Sequence, residues 1–327
     1  MGGLLSELGK QLAERWMALL VLPGALFVAV LASAHALGHT HPFDADRLAN
    51  RLDAWAAAPR LDTTGGLVLL LLAVLLAAAG AGLAAQALGS AAERAWLTTG
   101  TAPRRLTARR LRRWEAATRA YEARRAELAE ARALGAPPPP GPGLAEARAG
   151  IEAVAPERPA RPTWMADRLN APAVRLDREY DLDLATVWPH LWLVLPDTTR
   201  AELVAAREAL TRSATLAGWG ALYLAVAALW WPGALIAAVT VVTGWRRART
   251  ATDAYALLIE AAARLHTAEL AQQHGLFTDW RLTRRTGWQL TCLVQGQGHL
   301  IPLTGEDGDG DDGDDGDAGV GGGGGGR

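Results

Sequence analysis

The sequence predicts an all-α fold: a four-helix transmembrane protein of two helical pairs, with cytoplasmic helical segments and a disordered C-terminal tail. Three observations carry this expectation. Half of the 327 residues are hydrophobic, yet they lie in a few long runs instead of being spread as in a soluble core. Arg-rich and Pro/Gly-rich stretches separate the runs. The chain ends in acidic residues and glycine, so a formal net charge of -1 hides a basic middle and an acidic end. The single cysteine, Cys292, excludes an intramolecular disulfide and a cysteine-based zinc cage.

Residues 1–98 form the first pair. A membrane helix needs about 20 mostly apolar residues. Residues 16–37, "WMALLVLPGALFVAVLASAHAL", carry no Asp, Glu, Lys or Arg, and Pro23-Gly24 predicts a kink. Residues 66–88, "GLVLLLLAVLLAAAGAGLAAQAL", form the second span, with small residues Ala77, Ala81, Ala85 and Gly89 four apart, suited to close helix packing. Ala32-Ser33-Ala34 suits a signal peptidase, but Lys10 and Arg15 are balanced by Glu7 and Glu14, so the first segment is expected to be retained.

The loop 38–65 joins these spans. Its first part belongs to "HALGHTHPFDAD", which gathers His35, His39, His41, Asp44 and Asp46 within twelve residues. Zinc needs imidazoles and carboxylates that converge, and His35 and His39 stand i,i+4 on a continued helix. Gly38 and Pro42 instead end that helix, which leaves the competing reading of a polar rim without a ligand.

Residues 99–135 hold an Arg-rich helix, with Thr101 as expected N-cap and Pro103 in its first turn. Leu111, Trp114, Ala117, Tyr121, Leu128 and Ala131 make a ragged heptad, interrupted by Arg125. Three readings compete: a solvated helix or weak coiled coil toward a partner, a helix on anionic headgroups with Trp114 and Tyr121 inward, or a nucleic-acid binder. Arginine density alone gives salt-dependent phosphate binding without base readout, and no nucleic-acid motif accompanies it, so nucleic acid is not an expected partner. Residues 136–162 are a Pro-rich linker with a short helix at 144–154.

Residues 163–276 contain a short apolar helix, 182–195, carrying Trp188, Pro189 and Trp192, expected in the inner interface or packed on other helices. Thr199 with Glu202 reads as a capping box. Residues 213–245 are uncharged for 33 positions, too long for one span, and "WWPG" (Trp230 to Gly233) splits them into a hairpin of about 208–230 and 232–250. A helix then continues to His274, stopped by Gly275, with Tyr255, Leu258, Ala262 and Leu265 on one face. Asp181, Asp183 and His190 have catalytic side chains, but no partnered nucleophile or metal pattern accompanies them, and a structural role is expected.

Tyr180-Asp181-Leu182-Asp183, then Trp188-Pro189-x-Leu191 and Leu195-Pro196, with an apolar hairpin about 20 residues on, resembles a group of uncharacterised, high-GC, actinobacterial-like multi-pass membrane proteins. Tyr255 and Ala261-Ala262 extend the resemblance. Similar members place glycine after the tyrosine, where this chain has Asp181. The resemblance implies fold, and no activity.

Residues 277–303 alternate through "GWQLTCLV" to a QGQG turn and predict a small β-hairpin. Residues 304–327 are the disordered acidic and glycine tail; "GEDGDGDDGDDGD" lacks the glycine and glutamate spacing of a calcium loop.

Arginine bias orients the chain in a bacterial plasma membrane. From 89 to 125 ten arginines stand against three acids, while 38–66 carries three arginines and four aspartates. Both termini are therefore expected in the cytoplasm, with the 38–65 loop and the WWPG turn outside. No hydrolase, P-loop, zincin or dinucleotide motif appears, and no cofactor is expected. The span cores lack charged residues, which disfavours a proton or ion path. The expected function is a non-enzymatic membrane scaffold, its partners the lipid bilayer and a protein or a second copy of itself. Trp114, Tyr121, Tyr180, Trp188, Trp192, Trp230 and Trp231 are its expected interface residues. The alternatives are a subunit of an oligomeric transporter or channel, and a metal-binding sensor or enzyme at the outer loop.

Overall fold

A computed structural model describes residues 22–57, 63–98, 104–276 and 282–301. Among these residues the chain is all-helical, with ten α-helices, one 3-10 turn and no strand. The helices are α1 (Leu22–Leu37), α2 (Ala45–Ala56), α3 (Thr64–Trp96), α4 (Arg104–Ala133), α5 (Leu144–Val154), α6 (Trp164–Tyr180), α7 (Leu184–Val194), α8 (Asp197–Ala227), α9 (Pro232–Gln273) and α10 (Arg284–Val294).

One described helix, α3, is long and apolar enough to cross a membrane. It does not behave as a soluble core helix: only 11% of its apolar window is buried, and Leu67 through Leu72 all face outward. The described part of α1 is sixteen residues with Pro23 in its first turn, and residues 16–21 of the expected first span lie outside the described residues.

α1, α3, α8 and the first half of α9 pack side by side. Missing side chains make this approach close. A Cβ on Gly24 would stand 2.1 Å from Ala78 O, and one on Gly218 2.1 Å from Ala85 O. One on Gly220 would meet Val241 Cγ2 at 2.5 Å. The buried stripe of α3 is Ala78, Gly82, Ala85 and Gly89, which corrects the expected one, since Ala77 is exposed. Steps of four overrun the 3.6-residue turn and walk off the contact, whereas steps of four, three and four hold it. Phe27, Trp219 and Tyr223 fill the space left between α1 and α8, with Phe27 edge-on to Tyr223 at 5.4 Å.

Above this bundle α9 runs on unbroken into a helical head. Its Tyr255, Leu258 and Ala262 join Leu176 of α6, Val187 and Leu191 of α7, Leu203 of α8 and Leu290 of α10 in one core. Leu265, expected on the same face, is exposed. The stop at Gly275 is as expected: φ is +73, Leu276 N–H donates to Ala271 O and Gly275 N–H to Gln272 O, a Schellman cap.

Two expectations fail locally. The β-hairpin over 277–303 is instead helix α10, capped by Thr283 and buried through Gly287, Leu290 and Thr291, a helical spacing that outweighs the apparent alternation. The Thr199 capping box does not form, because α8 begins two residues earlier, at Asp197. Pro196 sets the extended entry, and Asp197 places a negative charge in the first turn. The expected Thr101 cap and the acidic tail 304–327 lie outside the described residues.

Candidate functional site

The histidine stretch folds as a capped turn. Gly38, at φ +65, ends α1 by donating to Ala34 O, so His39 leaves the helical face of His35. Asp44 caps α2, its Oδ1 accepting from Arg47 N–H at 2.9 Å. His41 Nδ1 lies 2.9 Å from Thr40 Oγ1 and 3.0 Å from Arg47 Nη1, beside a fixed cation. Among the described residues no three His, Cys, Asp or Glu side chains gather as metal ligands, so His35, His39, His41, Asp44 and Asp46 are not brought to one point. The stretch forms a polar rim on the ends of α1 and α2. The rim meets the WWPG turn: Trp230 Nε1–H donates to Pro42 O at 2.9 Å, and Trp231 packs edge-on against Phe43.

At the other end of the bundle stands α4, a helix with two unlike faces. One face packs on α5 and the Pro-rich linker. Trp114 and Tyr121 are half-buried. Arg125, expected as the heptad break, is exposed, and the residue buried at the break is its neighbour Arg124. Its Nε–H donates to Pro142 O at 2.9 Å and its Nη2–H to Pro139 O at 2.7 Å, strapping the polyproline segment to the helix. The guanidinium thus occupies the heptad position as a hydrogen-bonding plug. The other face is open and cationic: Arg104, Arg105, Arg109, Arg112, Arg113 and Arg119 are exposed and make no ion pair among the described residues.

Ion pairs fasten α4 and the head to the bundle. Arg110 Nη2 meets Asp167 Oδ2 at 2.7 Å and also donates to Val154 O. Asp167, only 5% exposed, accepts in addition from the N–H groups of Ala160 and Arg161, so its charge is met on both oxygens. Thr163 caps α6 and donates to Trp96 O at the end of α3, while Arg207 of α8 pairs with Glu93. Arg168 pairs with Asp253 at 2.5 Å. Arg175 bridges Glu157 and Glu260 at 2.8 and 2.9 Å, and Arg264 grips Glu179 at 2.7 Å. Burial alone would raise the Glu157 carboxyl; hydrogen bonds from Arg178 and Arg175 outweigh it and hold it below its ordinary value. These pairs join residues 18 to 114 positions apart and are invisible as motifs.

The remaining interface candidates sit in the head. Trp188 and Trp192 pack on its core with ring centroids 6.2 Å apart, and Tyr180 lies under Arg264. They are packing residues, so the short helix α7 takes the packed alternative of the two expected for it. Asp183 caps α7 by accepting from Ala185 and Thr186 N–H, Asp181 ends α6, and His190 stacks edge-on with His274. Asp183 also accepts from Thr186 Oγ1–H at 2.6 Å, which completes the cap. Comparisons with protein-family models, with characterised proteins and with solved structures found no match to this chain.

Proposed function

We propose that this chain is a non-enzymatic, four-span protein of the bacterial plasma membrane, which holds a helical head at the cytoplasmic face and recruits an acidic protein partner. The observation that carries the recruiting role is the asymmetry of α4. Arg110 and Arg124 fix its inner face, while six arginines of the outer face stand exposed without ion pairs among the described residues. A solvated helix needs no such clustering of one sign; a face that docks an acidic surface does, because it steers encounter and fixes register.

Support for four spans comes from exposed apolar surface at matching depth. Leu235, Val239 and Val242 on α9 and Leu224 on α8 face outward alongside the leucines of α3. A soluble protein rarely leaves a patch of that extent open. The apolar part of α9 ends at Trp245, before Arg246 and Arg247, which fits the inner interface.

The test is crosslinking and affinity capture from native membranes. Wild type is compared with a full-length variant carrying Arg105→Gln, Arg109→Gln, Arg112→Gln and Arg119→Gln. Replacing exposed side chains leaves the Arg110 and Arg124 anchors in place. A stoichiometric acidic partner captured by wild type and lost in the variant is the expected result. Equal capture by both, or recovery of the protein alone, overturns the recruiting role.

A further inference from the structure

We infer that the groove between α6 and α9, at the bundle end of the head, binds the phosphate oxyanion of a phospholipid headgroup, with Arg249 as the main ligand. This rests on the membrane reading above. The groove has a volume of about 530 Å³ and is lined among others by Trp164, Arg168, Arg175, Arg249, Thr250 and Asp253.

Arg249 is held for binding without being consumed by it. Its guanidinium lies 4.1 Å from the Trp164 ring centroid and 5.4 Å from that of Trp245. Trp164 is itself fixed, its Nε1–H donating to Glu152 O at 3.1 Å. Stacking uses the faces of the guanidinium and leaves its edge donors available. Among the described residues Arg249 makes no ion pair and no side-chain hydrogen bond. Its neighbours do not welcome a lone cation: burial first, then the nearby charge of Arg110, push it below its ordinary basicity. A second donor waits in the same wall. Arg168, 7% exposed, spends Nε on Asp253, and its Nη1 is buried without an acceptor among the described residues.

The polarity of the groove says which end the anion enters. At the Trp164 and Trp245 rings stands Arg249, without an ion pair among the described residues, while nearby Arg110 is answered by Asp167 and Asp253 by Arg168. Arg175 is answered by Glu157 and Glu260, and Glu152, whose carbonyl holds Trp164, is paired with Arg148. The cation of this lining left without a carboxylate among the described residues is Arg249, at the bundle end. That end adjoins Trp245 and the last apolar turn of α9, where the phosphates of an inner leaflet would lie. Paired tryptophans also suit an interface, with rings toward acyl chains and the cation toward phosphate. A phospholipid satisfies the phosphate donors and the adjoining apolar surface together; a soluble phosphate satisfies only the first.

The experiment uses the full-length protein in mild detergent, with bound lipid counted by native mass spectrometry. The probes are short-chain phosphatidylglycerol, short-chain phosphatidylcholine and inorganic phosphate, on wild type, Arg249→Gln and Arg246→Gln. The expected result is one phosphatidylglycerol retained over phosphatidylcholine by wild type. Arg249→Gln should weaken it about tenfold, the worth of about one charge-assisted hydrogen bond. Arg246→Gln, exposed and outside the groove, should change it less than about twofold. Equal losses in both variants mean diffuse surface charge and overturn the site. Arg249-dependent binding of inorganic phosphate with no preference for the lipid overturns the lipid source. No retained anion on folded wild-type protein overturns the proposal outright. Reconstitution into phosphatidylcholine vesicles with resistance to alkaline extraction is scored on the same samples, so that failure of the membrane reading is seen separately.

Discussion

At the residue scale, Asp181 is the most constrained position of the head. It ends α6 with φ +50 and is the one non-glycine residue at positive φ among the described residues. Its carboxylate meets Arg284 of α10 through two contacts, at 3.0 and 3.2 Å. The left-handed region disfavours a Cβ, and aspartate tolerates it better than most residues. Asp181→Gly removes an exposed ion pair worth little and relieves backbone strain, so stability should be unchanged or higher by up to ~1 kcal/mol. Asp181→Val, β-branched at positive φ, should cost ~1–3 kcal/mol. Thermal unfolding in detergent followed by near-UV circular dichroism ranks the three; a valine variant as stable as wild type would refute the strain.

At the element scale, the bundle helices depend on positions where no side chain exists. Gly218→Ala places a methyl group 2.1 Å from Ala85 O, where backbone must move to admit it. Gly80→Ala meets nothing within 4 Å on the same bundle. Overpacking costs ~1–3 kcal/mol, whereas alanine for glycine in a free helical site gains up to ~1 kcal/mol. The two substitutions should therefore shift the melting temperature in opposite directions, read by fluorescence-detected size exclusion after heating. Element boundaries set by a strong local signal were legible in the sequence: the turn at Trp230 to Gly233, and the left-handed Gly275. What failed had a local look-alike. Trp288, Leu290, Cys292 and Val294 alternate like a strand, but over eight residues alternation and helical spacing share most of their apolar positions, and the Thr283 cap decided for helix. The small-residue stripe was read one position off for the same reason, since alanine is common on every face of α3. The pairing of Arg110 with Asp167 joins residues far apart in the chain and follows only from how α4 returns beside α6.

At the scale of the whole molecule, a single arrangement accounts for both ends. The Trp230 bond to Pro42 puts the α1–α2 corner and the α8–α9 turn together, while Trp96, Trp164 and Ala248 gather at the opposite end of the bundle. The proposed orientation follows from arginine bias laid on that arrangement. An alkaline phosphatase fusion after Asp53 should be active and one after Arg125 silent. The reverse pattern would place the head outside and remove the proposed partner and inner-leaflet lipid together.

The unbroken run of α9 has a mechanical consequence. Its 42 residues make a rod of about 63 Å. From Gly244, the last point where it presses on α8 without a side chain between, about 44 Å of rod continues to its cap. No proline interrupts that length, so it bends little, and the head core that binds it to α8 and α6 tilts with it. A tilt of about 5° at the fulcrum carries the far tip about 4 Å, by the same rise per residue. On the membrane reading, bilayer thickness sets that tilt, and the head becomes a gauge whose ion pairs are loaded or slackened by the lipid around the bundle.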